Sequence, residues 1–163
     1  MSASSHKLTK WVWTDADFSI MGWQDSRIHA VAFPADTSEF LLDLDYIFEW
    51  VDPPADANYS FWVSPATLVF RGVDKLDLAF APWPEAEIIE ISCDAVAEGD
   101  TLAAGSAKSK RRWNIECTGG SIEFISTGYE QFIRHEPRHI HAQALTLDER
   151  VGYSFLRGRD DQA

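Results

Sequence analysis

Residues 39–50, E-F-L-L-D-L-D-Y-I-F-E-W, decide the fold. Phe40, Leu42, Leu44, Tyr46, Phe48 and Trp50 alternate with Glu39, Leu41, Asp43, Asp45, Ile47 and Glu49. Successive side chains of an extended chain point to opposite faces. The period of two therefore predicts a β-strand with one apolar face and one mixed face. Residues 26–33, S-R-I-H-A-V-A-F, precede it across P-A-D-T-S, whose turn formers predict a hairpin. With Phe33 opposite Glu39, the residues Ile28, Ala30 and Ala32 meet Leu44, Leu42 and Phe40. On the other face Arg27 meets Asp45 and His29 meets Asp43. A slip of two residues would change these partners and keep the faces.

Working outward, Gly119-Gly120 between 112–118 and 121–127 marks a second hairpin. Its expected pairing sets Cys117, Ile115 and Trp113 against Ile122, Phe124 and Ser126. It also sets Glu116 against Glu123, a like-charge pair that requires water or a cation. Residues 74–80 and 87–93 read as strands, and 60–64 and 66–72 as two short strands parted at Pro65. Residues 128–134 fit a strand or a helix. Leu145 and Leu147 suggest a late strand, with 153–156 as its return. Thr14 to Gly22 reads as a single capped helical turn. Many short strands with little helix predict a mainly β, single-domain fold, an antiparallel β-sandwich or curved half-barrel. The domain is expected over 11–156, with flexible tails at 1–10 and 157–163.

The chain has 163 residues, 45% of them hydrophobic, enough for a sizeable core. Its formal net charge is −12. That field repels nucleic-acid phosphates and anionic membrane surfaces, so neither is an expected partner. It favours a basic protein partner. Cys93 and Cys117 are the only cysteines and form no disulfide framework. The opening residues lack the apolar core of a signal peptide, and no apolar run approaches a membrane span. A cytoplasmic protein is expected. The oligomeric state is not legible.

The segment T-D-A-D-F-S-I-M-G-W-Q-D-S-R-I-H-A-V-A-F, followed by L-L-D-L-D-Y-I-F-E-W-V and F-W-V-S-P-A-T-L-V-F, resembles a family of uncharacterised bacterial proteins. They share a W-[HQ]-D-x-x-I-H motif. The resemblance spans residues 11–80 and extends more loosely beyond. Similar openings occur in immunity proteins of bacterial toxin systems. The chain carries Gln24 where the motif usually has His; Asp25 and His29 match. The resemblance implies capture of a toxin-like partner.

The candidate binding residues are Asp25, Arg27, His29, Asp43 and Asp45 on the polar strand face, together with Trp83, set between two prolines where contact is available. A histidine among carboxylates also suits acid–base chemistry, so the alternatives are a hydrolase using this face or a small-molecule or carbohydrate-binding β-fold. His135, His139 and His141 supply at most two same-face ligands, so no metal and no cofactor is expected. Neither cysteine sits in a context that would lower its pKa, and no G-x-S-x-G occurs. The composite expectation is an acidic protein-binding domain of the immunity type rather than an enzyme.

Overall fold

The computed structural model describes residues 5–82, 85–96 and 110–160. In chain order its strands are β1 (Val12–Thr14), β2 (Ile28–Ala32), β3 (Phe40–Val51), β4 (Ser60–Arg71), β5 (Asp74–Phe80), β6 (Ile88–Ala95), β7 (Arg111–Cys117), β8 (Gly120–Ser126), β9 (Gly128–Ile133) and β10 (Arg138–Ile140). One antiparallel sheet runs β1-β9-β4-β3-β2, with β10 also on β4. The other runs β5-β8-β7-β6. Neither closes into a barrel, so the fold is a sandwich.

The apolar face of β3 fills the space between the sheets. Phe40, Leu42 and Leu44 are fully buried with Leu68 and Phe70 of β4 and with Ile115, Ile122 and Phe124 of the opposite sheet. Aromatic edges tie the layers together: Phe124 lies 4.6 Å from Phe70 and 5.6 Å from Phe40. Trp23 fills one end against Tyr46 and Tyr129, and its indole N–H donates to the buried Gln131 at 2.8 Å. The capped turn is a 3₁₀ helix, Asp15–Ile20, with Thr14 and Asp17 forming a reciprocal capping box.

Several pairings depart from expectation for local reasons. A bulge between Ile28 and Ala30 sets Ala30 opposite Asp43, while Ile28 keeps Leu44. A second bulge between Ile47 and Glu49 reverses the faces, so Trp50 packs on Phe61 at 5.5 Å on the outer side. Residues 60–71 form one continuous strand rather than two. Pro65 sits where the neighbour of β4 changes from β10 to β9. Its carbonyl, accepting from Arg134 N at 3.0 Å, faces that gap. The missing N–H points the same way and costs β3 nothing.

The second hairpin turns at Thr118-Gly119, and Gly120 is already in the ladder opposite Cys117. Gly120 is required by close approach: a Cβ there would lie 2.0 Å from the Ala79 carbonyl oxygen. Residues 128–133 are a strand. The late strand and its return do not form. Residues 147–150 make one helical turn, α1 (Leu147–Arg150), and the chain around it crosses the outer face of β3 and β4 without joining a sheet. Leu145 packs there with Ile47, Phe61 and Val63. Arg157 continues this cover by pairing with Glu39, and Arg159 by stacking on Trp11 at 4.3 Å.

Candidate functional site

That cover changes the meaning of the polar face. Asp43 and Asp45 are fully buried beneath the C-terminal segment, with Arg134 and Arg150 beside them. Asp43 Oδ1 accepts from Arg134 Nη2 at 2.7 Å and from Arg150 Nη2 at 2.8 Å. Its Oδ2 accepts from Arg150 Nη1 at 2.8 Å and from the Ser154 main-chain N–H at 2.9 Å. Asp45 Oδ2 accepts from Leu145 N at 2.8 Å and lies 2.8 Å from His29 Nε2. Its Oδ1 accepts from Arg150 Nε at 3.2 Å. Arg134 also donates to Thr67 Oγ1 at 2.8 Å and to the Ser154 carbonyl at 2.9 Å.

Charges can be taken out of water only when paired and hydrogen-bonded, and here nearly every donor and acceptor is used. Burial pushes the Asp43 carboxyl up. Hydrogen bonds from Arg150 and Arg134 and the charge of Arg134 outweigh it and hold the group below its ordinary value. Burial lowers Arg150 in the same way, and the two aspartates more than restore it. The network therefore locks residues 143–154 onto the sheet. It covers both carboxylates, whose oxygens are taken up by Arg134, Arg150, His29 and main-chain N–H groups. His29 belongs to the same network: it sits in the bulge between Ile28 and Ala30, and its ring meets Asp45 rather than Asp43.

The other expected residues go elsewhere. The Arg27 side chain pairs with Glu87 at 2.9 Å rather than with Asp45, whose main-chain N–H still donates to the Arg27 carbonyl at 3.0 Å. Asp25 holds a turn with φ 62° and accepts from Gln143 Nε2 at 3.1 Å. Burial, then the nearby Glu87, pushes its carboxyl above the ordinary value. Trp83 lies outside the described residues. The W-Q-D-x-x-I-H motif is thus architectural here: Trp23 fills the core, Asp25 turns the chain and His29 meets the buried network. His139 stacks on Trp62 at 5.0 Å and pairs with Ser60 Oγ at 2.7 Å, while His135 lies 2.6 Å from Asp160. Cys117 is free, and burial drives its thiol up to about 11.

The outer face of the second sheet is where exposed charge gathers. Register places Asp77 directly opposite Glu123, and Glu90 directly opposite Glu116. All four are exposed, as is Asp94 on the same face of β6, where it lies opposite Arg112. The expected Glu116–Glu123 pair does not form, because the turn lies one residue earlier than Gly119-Gly120. Glu116 faces Ser121 and Glu123 faces Asn114. The two glutamates keep one face and each meets a carboxylate on its other side.

Sequence reasoning missed Arg134 and Arg150. Nothing near either residue announces a buried partner about a hundred residues away. Asp77 alternates with Leu76 and Leu78 and so reads as a polar-face position, whereas Glu90 sits in a nearly continuous apolar strand, and joining either to Glu123 or Glu116 needs the strand order. Comparison with family models, curated proteins and solved structures finds no match to this chain.

Proposed function

We propose that the chain is a protein-binding domain whose acidic β5-β8-β7-β6 face captures a basic partner. The observation that carries this reading is the doubled like-charge pairing, Asp77 on Glu123 and Glu90 on Glu116. Like charges directly opposite across strands destabilise a sheet. A cationic surface docked there turns that repulsion into attraction, and the net charge of −12 steers it in from a distance. The resemblance of the opening motif to immunity proteins adds a partner class, a basic toxin. We place the domain in the cytoplasm, where Cys93 and Cys117 stay reduced.

The test uses a displayed library of random peptides selected on the immobilised chain. Selected peptides are expected to be rich in Lys and Arg. They should associate about tenfold more slowly with a Glu90→Gln, Glu116→Gln, Glu123→Gln variant, and more slowly with the wild type as salt rises. Selection without basic enrichment, or kinetics indifferent to the triple change, overturns the proposal.

A further inference from the structure

β6 is an edge of its sheet. Its start is covered: Asp25 N donates to the Ile88 carbonyl, and Ile88 N to the Ser26 carbonyl, both at 2.8 Å. Beyond Ile88, β7 is its one main-chain partner among the described residues. The phase of the ladder fixes which groups remain open. A two-residue turn closes on Cys117 and Gly120, whose main-chain groups face each other. Alternate residues of β7 then face β6, as the bond from Thr118 N to the Glu87 carbonyl at 2.9 Å confirms. Glu90, Ser92 and Asp94 therefore bond to β7. The N–H and C=O groups of Ile91, Cys93 and Ala95 point off the edge.

A groove of about 640 Å³ lies beside the first part of this edge, lined by the apolar Phe18, Met21, Ile89 and Ile91 and by the polar Gln24 and Glu90. Ile89 is 48% exposed. The edge thus has a partly apolar groove at its start with Glu90 in its wall, and Asp94 farther along the outer side, opposite Arg112. We infer that β6 takes an extended segment of the basic partner as an added strand. Lys or Arg at alternate positions would lie beside Glu90 and Asp94, and apolar side chains between them would fill the groove. The inference rests on the acidic-face reading and names how the partner is held. The same carboxylates argue against a second copy of this chain, whose β6 would bring Glu90 and Asp94 against their own kind.

The probe is a labelled peptide of alternating Lys and Val with one central Phe, measured on the full chain by fluorescence anisotropy. Two further peptides carry N-methyl groups on one or the other alternate set of amides. In an added strand one set bonds β6 and the other faces away. One methylated peptide should bind about tenfold or more weakly, the loss of two or three net main-chain hydrogen bonds. The other should stay within about twofold of the parent. Binding should also slow amide exchange at Ile91, Cys93 and Ala95. Equal binding of all three peptides, or protection confined to other amides, overturns strand addition. If that happens while Glu116→Gln still weakens the parent peptide, the acidic-face reading stands alone. Failure of the parent peptide to bind even at low salt overturns both.

Discussion

Arg150 grips both oxygens of Asp43, Nη1 to Oδ2 and Nη2 to Oδ1 at 2.8 Å each, across 107 residues of sequence. Both side chains are fully buried. A residue of α1 thereby holds one in the first long strand. The C-terminal segment becomes a third layer of the fold.

Arg150→Met should destabilise the protein by about 3–5 kcal/mol, because Asp43 and Asp45 stay buried with too few donors. Urea denaturation checks the magnitude. Limited proteolysis should cut first between residues 141 and 156. A variant as stable as wild type would mean the segment is held by Leu145 and its neighbours alone.

Stability should fall on acidification. The folded state holds Asp43 below its ordinary value of 3.8. Its contribution is therefore complete above that value and disappears as pH drops through the lower, folded one. The melting temperature should decline steadily below about pH 4, and Asp43→Asn should flatten that part of the curve at a lower starting stability. Thermal melts across pH 2 to 7 give the comparison.

Gly120→Ala should cost about 3 kcal/mol or more, since the new methyl meets the main chain of β5 rather than a movable side chain. Amide exchange should show β5 loosening before β7. Gly119→Ala, in the turn proper, should cost less.

Glu116→Gln should stabilise the fold by about 0.2–1 kcal/mol by removing repulsion with Glu90. It should also weaken capture of cationic peptides. A chemical-denaturation midpoint that does not rise would show that Glu90 and Glu116 are already screened.

Val151→Gly should stabilise by about 1 kcal/mol. Val151 follows α1 with φ 59°, in the left-handed region that branched side chains resist, and it is 80% exposed, so little packing is lost. Differential scanning calorimetry reads the shift.

The alternation in residues 39–50 was enough to place Phe40, Leu42 and Leu44 in a core and to predict a hairpin, because a half-buried strand writes its faces into its own sequence. The alternation of 112–127 did the same for Ile115 and Phe124. The capping box of Thr14 and Asp17 was equally local. Bulges after Ile28 and Ile47 were not legible, since one extra residue leaves no mark in composition. Gly120 looked like a turn residue and is a packing residue, because only the passing of β5 distinguishes the two. Asp43 and Asp45 looked like a solvated face for the same kind of reason. Their sequence shows polarity, and polarity is shared by charges in water and charges paired in a dry interior. Only the tertiary structure brings Arg134 and Arg150 over them, and only the strand order sets Glu90 against Glu116. Local patterns record which way a side chain points; what it meets there is decided by segments far away in the chain.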